Sequence, residues 1–194
     1  MDCTGHGVPG AFMSLVGDTN MNQIVLQEEV TDPAEILNKL HEGVCGYLKQ
    51  SETENQDGMD AAIVVIDEQK KSIQFAGAKN PLVIINDKQE IEIIKGDKMS
   101  IGGKRKSNID ERFKTHKIEY NSQNTFYIFS DGYQDQFGGP NDKKFMVRSF
   151  RKLLQEVSGK AMNDQYHVLN KRFDDWKHGY SQTDDVLLIG FKLE

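Results

Sequence analysis

The chain has 194 residues, enough for one ordinary domain with a substantial core. Its 24 Lys and Arg against 30 Asp and Glu leave a net charge of −6, which argues against a nucleic-acid partner held on a basic surface. No apolar run approaches the ~20 residues that span a bilayer, and no signal peptide precedes the first motif, so a cytoplasmic chain is expected. Cys3 and Cys45 lack Cys-x-x-Cys spacing, which argues against a disulfide framework or a Cys-rich zinc site.

In chain order, the stretch Met1 to Val16 comes first. Asp2 is followed by a turn carrying Gly5, Gly7 and Gly10, and Pro9 sits where an apolar, helix-forming run begins. Proline suits a first helical turn because the N–H it lacks would be unpaired there. The recurrence of Phe12, Met13, Leu15, Val16, Ile24, Val25 and Leu26 predicts a helix to about Gln27. Asp32 then reads as an N-cap with Pro33 behind it, and Ile36, Leu37, Leu40, Val44, Tyr47 and Leu48 give the buried stripe of a second helix. Ser51 to Asp57 is polar and reads as a mobile loop.

From Met59 the period changes. Ala61 to Ile66, Ser72 to Gly77, Leu82 to Ile85 and Glu90 to Ile94 read as four strands of an antiparallel meander. Phe113 to Tyr120 and Thr125 to Ser130 are two more strands. Phe145 to Val157 and Ala161 to His178 read as helices, the second with Phe173 and Trp176 on its apolar side, and Val186 to Phe191 is a last strand. Strands in the middle with helices at both ends predict a layered α+β fold with mainly antiparallel sheets.

Three acidic residues occupy comparable places. Asp2 sits at a glycine-rich turn, Asp131 at the end of an apolar strand, and Asp184 just before one. Residues at strand ends are expected to converge on one edge of a sheet, and grouped carboxylates are unstable unless a cation neutralises them. Hard divalent ions take such oxygen donors. Taken singly each residue has a plain reading: Asp2 as a helix cap or chain end, Asp131-Gly132 as a turn, Asp184-Asp185 as a solvated loop pair.

The motifs change that weight. Asp2-Cys3-Thr4-Gly5-His6-Gly7-Val8-Pro9-Gly10-Ala11-Phe12-Met13-Ser14 resembles the signature of bacterial metal-dependent Ser/Thr phosphatases of the stage II sporulation protein E type, in the PPM superfamily. Phe129-Ser130-Asp131-Gly132 resembles that family's strand-to-Ser-Asp-Gly element, and Gln182-Thr183-Asp184-Asp185-Val186 its C-terminal Asp-Asp element. Asp57 to Ala62 and Phe75 to Pro81 match as well, so the similarity runs along almost the whole chain, residues 1–194. The resemblance implies an α-β-β-α sandwich. It also implies a binuclear Mn²⁺ or Mg²⁺ site with Asp2, Asp131 and Asp184 as catalytic metal ligands. The carbonyl of Cys3 is a further donor in that reading, and Asp185 is accessory.

The implied activity is hydrolysis of phosphoserine or phosphothreonine on a signalling protein by metal-activated water. The implied partner is a phosphoprotein such as an anti-sigma-factor antagonist. The family also carries an upstream strand with a Gly-Asp-Phe/Tyr element whose Asp bridges both metals, and nothing precedes Met1 in this sequence. The resemblance therefore implies an N-terminally incomplete domain lacking its first strands, with weak or no turnover. It also leaves pairing through the open sheet edge as a route to a homodimer.

The remaining polar candidates stay open. His6 reads as a general acid, a metal ligand or, with most weight, a residue that orients the turn. Thr4 and Ser14 have no base partner and read as structural. Lys79 and Lys95 are unranked candidates for phosphate contact, and Lys104-Arg105-Lys106 reads as a solvated loop or a weak attractor of phosphoproteins. Two rivals remain: a non-catalytic binding module on a phosphatase fold, and a metal-dependent phosphodiesterase or nuclease, against which the acidic balance counts.

Overall fold

The computed structural model describes residues 1–5, 7–105 and 111–194. Two compact units emerge, Met1–Leu82 with Ile94–Tyr120, and Val83–Ile93 with Asn121–Glu194. Each is α+β with antiparallel strand pairs and a core of its own.

The first unit opens with β1 (Asp2–Cys3), then α1 (Val8–Asn22), which runs on through a π-helical turn over Gln23–Gln27. Gly7 (φ +67) stands at the N-cap and Pro9 falls in the first turn. Met13, Gly17, Asn20 and Ile24 are buried, whereas Val8, Phe12, Leu15, Val25 and Leu26 are exposed. The apolar spacing that predicts this helix is thus spread over two faces, of which one packs inward.

In α2 (Pro33–Tyr47) the cap is as expected, because the Glu35 N–H donates to Asp32 Oδ1 at 3.0 Å. Ile36, Leu37, Leu40 and Val44 are buried, and Tyr47 is exposed.

β2 (Gly58–Asp67) and β3 (Ser72–Ala78) form an antiparallel hairpin from Ala61/Ala78 to Asp67/Ser72. Lys70 N–H closes its turn onto Asp67 Oδ1 at 3.0 Å. The sheet order is β1-β2-β3-β7, with β7 at His116–Glu119, and β6 (Ile101–Gly102) also pairs with β2. The four-strand meander is therefore corrected. β7, not the strand after β3, takes the second edge of β3. At Ala78 the chain bridges to Asp97, and Lys79, in the left-handed region, and Pro81 turn it away.

The second unit holds a sheet of order β11-β8-β4-β5, with β4 at Leu82–Ile85, β5 at Ile91–Ile94, β8 at Thr125–Phe129 and β11 at Leu188–Phe191. Between β8 and β11 lie a short helix α3 (Gly132–Asp135), a ribbon of β9 (Phe137–Gly138) and β10 (Lys143–Lys144), then α4 (Val147–Val157) and α5 (Met162–Lys177). Its core is aromatic. Tyr133 stacks on Phe150 at 4.4 Å, and Phe129 meets Phe150 edge-on at 4.9 Å. The buried hydroxyls are satisfied: Tyr133 donates to the Leu169 carbonyl and Tyr127 to Gln165.

The polar stretch Ser51 to Asp57 is a largely exposed loop, as expected, and hydrogen bonds anchor it. Thr53 N–H donates to the Lys49 carbonyl, and buried Gln50 donates to the Asp57 carbonyl while accepting from Gly103 N–H. Both cysteines are free. Among the described residues, no helix is long and apolar enough to cross a membrane.

His41 clasps α2 to β6, its Nδ1 accepting from Gly102 N–H at 3.0 Å, with Cys45 Sγ 3.6 Å from Nε2. Burial, then the Arg105 charge, depresses its pKa from 6.5 to about 4. Between these values the unfolded chain binds the proton and the folded one does not, so stability is full above the unfolded pKa and falls as pH drops toward 4. A fully shielded ring would contribute ~3 kcal/mol, and this half-buried one is expected to contribute about 1–2 kcal/mol. Urea denaturation at pH 7 and pH 4.5 measures the loss, which His41→Asn should shrink.

Candidate functional site

In the first unit the site begins with the pairing of β1 and β2, where Asp2 lies opposite Asp60 and Cys3 opposite Met59. Thr4 N–H donates to the Gly58 carbonyl at 2.9 Å. Bonded and non-bonded pairs alternate along an antiparallel ladder, so Cys3/Met59 is a non-bonded pair and the Cys3 carbonyl is directed toward the outer edge. Asp2 and Asp60, as cross-strand partners, project from one face of the sheet. Asp60 Oδ1 accepts the Ser100 hydroxyl at 2.7 Å and lies 3.2 Å from Lys79 Nζ.

The turn after β1 is locked by backbone contact. Gly5 has φ +83, and a Cβ at Gly10 would overlap the Gly5 carbonyl oxygen. Thr4 Oγ1 accepts from Gly58 N–H, and Ser14 Oγ donates to the Gly10 carbonyl, so both hydroxyls are committed to the turn. His6 lies outside the described residues, as does Lys106. Arg105 departs from the solvated-loop reading. Its guanidinium stands over the Phe113 ring and donates to the Glu111 carbonyl, and desolvation holds its pKa below the usual value.

In the second unit Asp131 follows β8 and precedes α3, with its carbonyl accepting from Asp135 N–H. Ser130 stitches this turn to the segment before β11. Its hydroxyl donates to the Asp185 carbonyl and accepts from Leu187 N–H, each at 3.0 Å, while Ser130 N–H donates to the Leu187 carbonyl. A Cβ on Gly132 would overlap the Asp185 carbonyl oxygen, so only glycine admits this approach. Asp184 accepts from Asp185 N–H at 2.7 Å, and Asp131, Asp184 and Asp185 are all exposed.

The structure brings the Asp131 and Asp184 motifs together, over a separation of about fifty residues along the chain. The expectation of three Asp residues on one sheet edge is corrected: Asp2 belongs to the five-stranded sheet, whereas Asp131 and Asp184 flank β8 and β11 of the other. Among the described residues no group of three or more His, Cys, Asp or Glu gathers as a metal cluster.

Sequence reading missed Gln136. Fully buried, it accepts from Thr183 N–H at 3.0 Å and donates to the Ser181 carbonyl, so it holds the segment that carries Asp184. Its one visible signal was a polar residue following the Ser-Asp-Gly turn. Asp60 was visible only as part of a motif.

The family model of stage II sporulation protein E (SpoIIE) matches residues 1–194. The chain belongs to this family. No curated protein sequence matches it. Among solved structures, the SiaA-PP2C domain of Pseudomonas aeruginosa is similar at 26% identity and TM-score 0.88, over 99% of this chain and 73% of that one. The PP2C phosphatase domain of SpoIIE from Bacillus subtilis, solved with a fragment of its regulatory domain, is similar at 15% identity and TM-score 0.71. There the match covers 96% of this chain but only 50% of the other. RsbX, solved in complex with magnesium, is similar at 15% identity and TM-score 0.58, over 96% of this chain and 75% of that one. The SpoIIE-family chain therefore has the fold of PP2C-type phosphatase domains.

In this SpoIIE-family chain Gln136→Ala leaves Thr183 N–H and the Ser181 carbonyl without their partner, and is expected to cost about 2 kcal/mol. Hydrogen exchange at residues 181–187 should quicken, while exchange in α2 stays unchanged. Gly132→Ala should loosen the same segment, through displacement of the Asp185 carbonyl rather than loss of a bond.

Proposed function

We propose that this protein hydrolyses phosphoserine or phosphothreonine on a signalling protein, with Mn²⁺ or Mg²⁺ as its cofactor. The observation that carries this reading is the stitching of the Ser130-Asp131-Gly132 turn to Asp184-Asp185 by the Ser130 hydroxyl. It makes neighbours of two motifs that the SpoIIE family shares.

The donor chemistry fits a hard divalent ion. Asp131 and Asp184 are exposed carboxylates, Asp2 is a half-buried one, and the Cys3 carbonyl is directed to an open sheet edge. Asp2, the Cys3 carbonyl, Asp131 and Asp184 are the proposed ligands, with Asp185 accessory. These roles are supported motif by motif from the family, and a relative of the same fold is described in complex with magnesium. When bound, divalent ions would supply a water deprotonated at neutral pH and neutralise charge on the phosphoryl oxygens.

The protein's own residues prepare this chemistry. Ser130 and Gln136 fix the backbone on either side of Asp184, so its carboxylate is presented without reorganisation. Gly132 lets the Ser130-Asp131 turn lie against the Asp185 carbonyl. Thr4 and the Gly5–Gly10 turn hold the Asp2 strand against β2. A regulatory phosphoprotein, such as an anti-sigma-factor antagonist, is the proposed substrate class.

The test is calorimetric Mn²⁺ titration with parallel turnover of p-nitrophenyl phosphate and a phosphoserine peptide. Turnover should require Mn²⁺ or Mg²⁺ and stop with EDTA. Asp131→Asn and Asp184→Asn should each lower it at least about 100-fold and weaken Mn²⁺ binding. Turnover undiminished by EDTA or by either substitution would overturn the reading.

A further inference from the structure

We propose that Lys79 is the residue that contacts the substrate phosphate beside the Asp2–Asp60 carboxylates, a role that rests on the phosphatase reading above. Its backbone is the first observation. Lys79 has φ +59, a left-handed conformation that a residue with a Cβ rarely adopts. The surrounding chain enforces it. Lys79 N–H donates to the Asp97 carbonyl and Asp97 N–H to the Gly77 carbonyl, both at 2.8 Å. Gly77 and Gly96 come so close that a Cβ on either would overlap the Asn80 carbonyl oxygen. Backbone contacts on both sides therefore fix where the Lys79 side chain starts.

The side chain is the second observation. Lys79 Nζ reaches Asp60 Oδ1 at 3.2 Å while 51% of the side chain stays exposed, against 27% for Asp60. An ammonium carries three donors, and a half-exposed one keeps capacity for an incoming anion. Asp60 already accepts the Ser100 hydroxyl, so its own hydrogen bonding does not depend on the lysine. Ion pairs of this exposure add little to stability, so the contact with Asp60 leaves the ammonium available to an anion at small cost.

Charge supplies the third argument. Asp60 is the cross-strand partner of Asp2, so the Lys79 ammonium stands on the sheet face that carries both carboxylates. A phosphate dianion approaching that face is repelled by them, and a fixed cation offsets the repulsion. Lys95, the other lysine considered from sequence, is simply an exposed residue after β5.

The experiment compares the unmodified chain with Lys79→Gln, Lys79→Arg and Asp60→Asn. It measures KM and kcat for p-nitrophenyl phosphate with Mn²⁺, inorganic phosphate binding by calorimetry, and thermal unfolding. Lys79→Gln should raise KM and weaken phosphate binding about tenfold, with kcat and unfolding temperature little changed. Lys79→Arg should recover most of the loss. Asp60→Asn should tighten phosphate binding by freeing the ammonium. If the unmodified chain turns over substrate and Lys79→Gln alters neither KM nor phosphate binding, the role of Lys79 is wrong and the phosphatase reading stands. If the unmodified chain binds no phosphate, the role of Lys79 falls.

Discussion

Two carboxylates face each other across the first strand pair, Asp2 on β1 and Asp60 on β2, and like charges directly opposite on a sheet destabilise it. What surrounds them works against that repulsion. The Ser100 hydroxyl and the Lys79 ammonium both close on Asp60, and the Thr4 hydroxyl joins the strand ends just beyond. A fold that keeps such a pair does so at a cost in stability, which the proposed metal-assisted phosphoryl chemistry would account for.

Backbone proximity, more than side-chain packing, holds each motif in place. Ser130 serves as donor and acceptor to a segment more than fifty residues away. Gly132 permits contact with Asp185, Gly10 with Gly5, and Gly77 and Gly96 with Asn80. A side chain at any of these glycines would force backbone apart where a motif carboxylate or Lys79 is presented. The aromatic core of Phe129, Tyr133 and Phe150 gives the Ser-Asp-Gly turn a rigid base.

Much of this was legible in the chain. The Asp32 cap, the α2 stripe, the β2–β3 hairpin and its Asp67 turn, and the two C-terminal helices all follow from local patterns, and local geometry realises them. Strand partners beyond that hairpin were not legible. Periodicity says that Leu82 to Ile85 is a strand, but it carries no information about which edge the strand will occupy. The left-handed turn at Lys79 and the bridge to Asp97 send that strand to another sheet. Likewise α1 shows apolar residues at helical spacing, yet only the Met13, Gly17, Asn20 and Ile24 side is buried.

The sequence by itself determined the family, the α+β class and the three motifs with their acidic residues, because residue type, order and spacing are one-dimensional properties. The tertiary structure decided the rest: that Asp60 is the partner of Asp2, that Ser130 and Gln136 fix the Asp184 segment, and that Lys79 rather than Lys95 reaches a motif carboxylate. Each of those depends on a contact between residues far apart in the chain. Such contacts are set by strand register and close backbone approach, which no local pattern encodes.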